Sequence, residues 1–509
     1  MKANRRGLRK LTFGLTTAFL ALSWYVWVPR SQAIPAFSRK YQTSCSTCHN
    51  NFPELNDFGL AFKKNGFKFP KDDETFVKEP PVLLGAKAQK EAFPNALYPG
   101  ELPGNLPIAF RYSGFANYNS KYPFACGALL ANGACSGAPG TYVPRTDLFV
   151  PNTFTIISAG SFGPSLSFWV DNDISAGGAN AAAGLGDGYL KLNDLGHYIG
   201  LPKDTLNVRF GQFELDLPFT QARSLDLTNY DIYDQASVAL VNPNCNVLLV
   251  APAAPPCTTN NPFMFAIPQR GIEIGGYPND GNFTWSFAVV NGNNDNVAVQ
   301  NSKDIYVRVS QLWNLERDPA VRKEIQASGP TGPHDHISIR LGAFYYYGRN
   351  ALNINQALFP GITALGTARE PFYRAGGDVR FRFRNNFEIY GLGMYGHDVN
   401  LIPDAAGTAF IAATPVTFSG GFVQANYWIY PWLMPLMRYD FVNSPTDSQA
   451  GVSHHDTRNR VSPGIQFLAR ANIKVAFEYQ YRWETPVPGT APIQYFRPNG
   501  FVTGVDFAF

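Results

Sequence analysis

The sequence predicts a mainly β protein, an antiparallel transmembrane β-barrel of about sixteen strands behind a small α-helical N-terminal segment. Three observations carry this. Many segments alternate apolar and polar residues with a period of two, which puts the two sets on opposite faces of a strand. The polar faces are charged in segment after segment. Composition agrees: of 509 residues only 16% are Asp, Glu, Lys or Arg, while Gly (46), Phe (40) and Tyr (25) run high. A net charge of +4, with no basic stripe interleaved with aromatics, sets nucleic-acid binding aside.

Residues 1–33 read as a signal peptide: Lys2, Arg5, Arg6, Arg9 and Lys10 precede an apolar run, and Ser31-Gln32-Ala33 offers small residues at a cleavage site. An uncleaved anchor and a twin-arginine signal are the alternatives. The first suffers from the cleavage site; the second carries folded cargo, which a barrel is not. Export suits the cysteines. Cys126 with Cys135, and Cys245 with Cys257, form two local pairs in Gly/Pro/Asn/Ala-rich stretches, as loop-stapling disulfides would.

Residues 34–77 form a separate unit. "CSTCH" places Cys45 and Cys48 two apart with His49 directly after. That spacing fixes the two vinyl edges of a haem c through thioethers and sets His49 to ligate the iron. Zinc would want a fourth nearby ligand, yet no other Cys or His occurs until Cys126. A redox Cys-x-x-Cys would want a βαβ context. In "NNFPELNDFGLAFKKNGF", Phe52, Leu55, Phe58 and Phe62 recur at helical spacing, and Gly66 is placed as the C-terminal stop. Gly59 is expected to let a flat macrocycle approach. A Pro-rich linker, residues 78–104, follows.

The barrel is expected over residues 105–509. In "IKVAFEYQYRW", Ile473, Val475, Phe477, Tyr479, Tyr481 and Trp483 face one way and Lys474, Glu478, Gln480 and Arg482 the other. Arg209, Arg308, Arg340, Arg374, Arg380, Arg382, Arg384 and Arg438 continue a charged inner face, too polar for a dry sandwich and suited to a wet lumen. Strand centres fall near Arg111, Thr153, Phe168, Leu190, Arg209, Glu273, Trp285, Val307, Leu341, Val379, Tyr390, Val423, Arg438, Gly464, Phe477 and Val505. Links after even strands are short, which places that end in the periplasm. Links after odd strands are long and outward, among them residues 217–267; the link at 316–335 is the exception.

The stretch "AIPAFSRKYQTSCSTCHNNFPELNDFGLAFKKNGFKF" (33–69) resembles the N-terminus of the fused cytochrome c–porin family of outer-membrane iron(II) oxidases. The match rests on Ala33, Pro35, Phe37, Arg39, Cys45, Cys48, His49, Pro53, Leu55, Phe58, Gly59, Phe62, Lys63 and Gly66. The resemblance implies one covalent haem c and a barrel in outer-membrane lipid. It also implies an extracellular donor, iron(II), a periplasmic cytochrome acceptor and the class iron(II):cytochrome c oxidoreductase.

A haem fused to a pore thus reads as an electron conduit, with residues 34–104 folded back into the lumen. The alternatives are an anion-type solute porin with a periplasmic haem segment, and a haem peroxidase. Asp226, Asp231 and Asp234, or His454-His455, could meet an external cation; solvated loop charge explains them equally. The iron's other face is expected to be open, bound by a local group such as Lys63, Lys64 or Asn65, or capped by the barrel. From the barrel come Met434 and Met394, facing the lumen, and His197, His334 and His336 at periplasmic links.

Overall fold

The computed structural model describes residues 36–69, 73–78, 107–123, 144–162, 165–175, 184–220, 224–234, 263–278, 281–295, 301–321, 337–351, 369–399, 415–443, 458–483 and 498–509, with short pieces of linker and loop between them. Residues 1–33, Cys126, Cys135, Cys245, Cys257, His334, His336, His454 and His455 lie outside the described residues.

Sixteen strands close one antiparallel barrel. In chain order they are β1 (Ile108–Asn119), β2 (Thr146–Phe162), β3 (Leu166–Ser175), β4 (Gly184–Leu192), β5 (Asn207–Phe213), β6 (Gln269–Gly276), β7 (Phe283–Val290) and β8 (Asp304–Asn314), followed by β9 (Ile337–Ala351), β10 (Arg369–Phe383), β11 (Phe387–Asp398), β12 (Val416–Tyr427), β13 (Leu433–Asn443), β14 (Arg458–Arg470), β15 (Ile473–Arg482) and β16 (Gly500–Ala508). Every expected centre falls inside its strand. The seam pairs β16 with β1, from Gly500↔Asn119 to Ala508↔Arg111, and Phe509 and Phe110 exchange main-chain hydrogen bonds at 2.7 and 2.8 Å.

Alternation explains the wall. Along β15, Lys474, Ala476, Glu478 and Gln480 are buried toward the lumen, while Tyr479 and Tyr481 are exposed outward. Outward Val307, Leu341, Val379, Val423 and Met437 form an apolar band, with Trp313, Tyr427, Tyr430, Trp432 and Trp483 toward its rims. A closed barrel leaves no edge and satisfies its backbone internally, so this is an outer-membrane barrel. No helix among the described residues is long and apolar enough to cross a membrane. Arg384 departs from the expected inner face: it sits exposed, at φ 52°, in the tight link between β10 and β11.

The lumen holds chain of its own. At the end with short links lies the N-terminal segment, with α1 (Ala36–Tyr41) and α2 (Asp57–Lys64). Its contacts reach round much of the wall. Arg39 donates to the Ile108 carbonyl at the foot of β1, and Phe67 packs on Trp169 of β3 at 5.5 Å. Tyr277, just past β6, donates to Asn65 at 3.4 Å, and Trp428, just past β12, donates to Asn51 at 3.2 Å. Deeper in, the described parts of the β5–β6 connection (residues 214–220, 224–234 and 263–268) lie inside the barrel, where the sequence reading placed an outward loop. Their Leu215, Leu217, Phe219, Tyr230, Ile232, Tyr233, Phe263 and Phe265 join wall residues Tyr306, Phe344, Tyr346, Phe372, Tyr390 and Phe422 in one buried cluster. Such apolar residues gain more by leaving water than by lining an outer loop.

Candidate haem segment and lumen

The attachment turn is a 3-10 turn, Cys45–Thr47, capped by Ser44. Cys48 N and His49 N both donate to the Cys45 carbonyl, at 3.1 and 3.0 Å. This brings both thiols and the histidine onto one short turn. Neither cysteine is in a disulfide. Burial pushes the Cys48 thiol up to about 12, with Cys45 nearby adding to it, and burial raises Cys45 too. No group of three or more His, Cys, Asp or Glu suited to a metal ion occurs among the described residues.

His49 Nδ1 lies 3.2 Å from both the Pro53 and the Glu54 carbonyl oxygens. Those oxygens fix Nδ1 as the protonated nitrogen and leave the lone pair on Nε2, as a metal-ligating histidine requires. The donor set therefore fits a haem c. The flanking aromatics pack on one another: Phe62 meets Phe37 edge-on at 5.0 Å, and Tyr41 stacks on Phe69 at 4.2 Å.

The helix is shorter than its pattern implied. Asn56 caps α2 by accepting from Gly59 N at 2.8 Å, so Phe52 and Leu55 fall in the preceding turn, where Pro53 lacks the N–H a helix interior needs. Gly66 ends the helix as expected, at φ 68°, with Phe67 N donating to Phe62 O at 2.9 Å. Gly59 has a different role from the one expected. A Cβ there would lie 2.1 Å from the Cys48 carbonyl, so the glycine lets α2 lie against the attachment turn itself.

Two charged groups of the segment pair with the wall and a third with the β5–β6 connection. Asp57 lies 3.6 Å from Arg340 and 3.8 Å from Arg380; Glu54 lies 3.8 Å from Arg380; Lys64 lies 3.3 Å from Asp216 of the inward connection. Burial pushes the Glu54 carboxyl up to about 8, with Glu388 adding to it against Arg380 and Arg382. Burial acts against ionised Asp216, but Lys64 and Arg308 hold its carboxyl below the usual range.

The other expected candidates are sorted by these contacts. Lys64 is engaged with Asp216, and Asn65 bonds the Lys68 and Phe69 carbonyls. Lys63 lines a cavity between α2 and the wall rather than the attachment turn. Met434 is fully buried with its sulfur 3.7 Å from Asn51 Nδ2, two residues beyond His49. Met394 belongs to the aromatic cluster, and His197 is exposed in the β4–β5 link. Asp226 is buried and paired with Arg438, and Asp231 lies 3.6 Å from Arg460. Neither is open to an arriving cation. The Asp234 side chain lies outside the described residues.

Asn50, Asn51, Glu54 and Asp57 were missed as wall partners. Alternation had put Arg340, Arg380 and Arg438 inside; no periodicity names the opposite charge they meet.

No protein-family model and no curated protein matches the chain. Among solved structures it is similar, at 11% identity and a TM-score of 0.44, to the outer membrane channel DcaP of Acinetobacter baumannii, covering 79% of this chain and 96% of that one. The anion-selective porin from Comamonas acidovorans gives the same identity and TM-score over 79% and 98%. OmpF of Salmonella typhi gives 10% and 0.44 over 79% and 97%. Similarity so slight adds nothing to the strand pairing, which by itself shows a closed sixteen-stranded antiparallel barrel.

Proposed function

We propose that the chain carries electrons between an extracellular donor, iron(II), and a periplasmic cytochrome, through one haem c held by Cys45, Cys48 and His49. One observation carries this reading: the lumen holds chain at two levels, the N-terminal segment at the short-link end and the described parts of the β5–β6 connection above it. Chain in the lumen narrows the path of a solute, whereas an electron needs no water path. The haem, when bound, supplies a one-electron carrier. The chain's residues do the rest. Cys45 and Cys48 fix the group to the turn, and His49 presents Nε2. Exposed Gln42, Ser44 and Ser46 keep that turn open to a partner. The aromatic cluster buries the described parts of the β5–β6 connection against the wall.

The second reading is a solute porin with a haem segment. It draws on the closed sixteen-stranded barrel itself; its wall cations Arg308, Arg340, Arg380 and Arg438 would suit anions only if freed from the carboxylates they pair with.

Purified protein in liposomes, haem side inward, separates the two. External iron(II) is expected to reduce the haem while larger anions stay excluded. Free passage of those anions without haem reduction would overturn the conduit and install the porin.

A further inference from the structure

The turn that receives the His49 proton is held from outside itself. Residues 50–54 close on two main-chain bonds of their own, Asn50 N to Glu54 O at 3.3 Å and Glu54 N to Asn51 O at 3.0 Å. Glu54 O also lies against His49 Nδ1. The carbonyl that meets the imidazole therefore moves with this turn.

Its polar side chains are gripped by the barrel. Asn50 donates to Glu388 of β11 at 3.4 Å and accepts from Arg382 of β10. Asn51 is almost fully buried, accepts from Trp428 Nε1 at 3.2 Å and points its amide at the Met434 sulfur of β13. Glu54 lies between Asn50, which donates to it at 3.2 Å, and Arg380. Wall groups from β10 to β13 thus converge on five residues that touch the histidine's far side.

We propose that this grip is a tuning device: the barrel wall, acting on Asn50 and Asn51, sets the strength of the His49 Nδ1 hydrogen bond and so the reduction potential of the iron held at Nε2. An imidazole that donates firmly to a carbonyl is a richer ligand and favours the ferric state. A loosened turn weakens that donation, so the potential rises. The wall residues are positioning residues, acting through the turn. The proposal rests on the haem reading above, and the experiment keeps the two apart.

Two charge-neutral variants of the full-length protein serve, Trp428→Phe and Asn50→Ala, with Trp313→Phe as a control on the outward face. Each is checked for a folded barrel by its heat-modifiable gel migration and for covalent haem by stain after acid–acetone extraction. The midpoint potential is then read by spectroelectrochemistry. Trp428→Phe and Asn50→Ala are expected to retain the stain and shift the potential upward, with the control unmoved. A purely structural grip would lower thermal stability and leave the potential in place. Folded, haem-stained variants with the parent's potential would overturn the tuning; an unstained parent protein would overturn the haem assignment and the tuning with it.

Discussion

Replacing Arg438 by Met should release the inward connection while leaving the haem segment seated. Arg438 is fully buried and donates to Asp440 at 2.7 Å, to Asp226, to the Thr228 carbonyl at 3.0 Å and to the Asn229 carbonyl at 2.9 Å. Breaking a buried ion pair from one side costs about 3–5 kcal/mol, because a charge is left without its partner. Asp440 keeps Arg460 at 3.0 Å, so the loss falls on Asp226 and the lower end applies, about 3 kcal/mol. At about 1.4 kcal/mol per decade that is roughly a hundredfold in the population of the released connection. Hydrogen exchange reads it directly: amides of residues 225–233 should exchange about a hundredfold faster, while those of Leu60 and Asn65 in the haem segment keep their rates. Adding Asp226→Asn to Arg438→Met should recover much of the protection by removing the orphaned charge. Unchanged exchange in the single variant, or no recovery in the double, would refute the reasoning.

Two further outcomes follow from the same contacts. The Glu54 carboxyl sits at about 8 in the folded protein against an ordinary 4.5, so docking of its turn is strongest below about 4.5 and weakens as pH rises through about 8. Exchange of residues 50–64, corrected for its intrinsic pH dependence, should accelerate over that window, and Glu54→Gln should flatten the response. Non-reducing peptide mapping of exported protein should recover Cys126–Cys135 and Cys245–Cys257; free thiols at all four positions would overturn the loop assignment.

The barrel was legible because a period of two is written residue by residue. Alternation in Ile473–Arg482 alone identifies which side chains meet lipid, and Gly66 announces its own stop. The lumen was not legible, because its contacts are remote in sequence. Asn50 meets Glu388 across 338 positions, and nothing local in either segment records it. The inward connection did leave a signal. Leu215, Leu217, Phe219, Tyr230, Ile232 and Tyr233 are too apolar for a solvated loop, and reading residues 217–267 by length alone hid it. Phe52 and Leu55 show a subtler limit: helical spacing continued past the cap that Asn56 imposes, since apolar periodicity cannot see where a backbone donor is missing.

The strand pairing at the seam has a consequence for the order of manufacture. β1 follows the haem segment in the chain, yet its partner is β16, the last strand made, so the cylinder can close only when nearly all of it has been synthesised. What it closes around is already inside: the Asn50–Glu54 turn is locked to β10–β13, and α1 is tied to the foot of β1. Threading a bulky macrocycle into that finished cylinder would mean breaking the locks one by one. On the reading proposed above, a haem at Cys45 and Cys48 would have to be attached before the cylinder closes, and the N-terminal segment would be the mandrel on which the wall is wrapped.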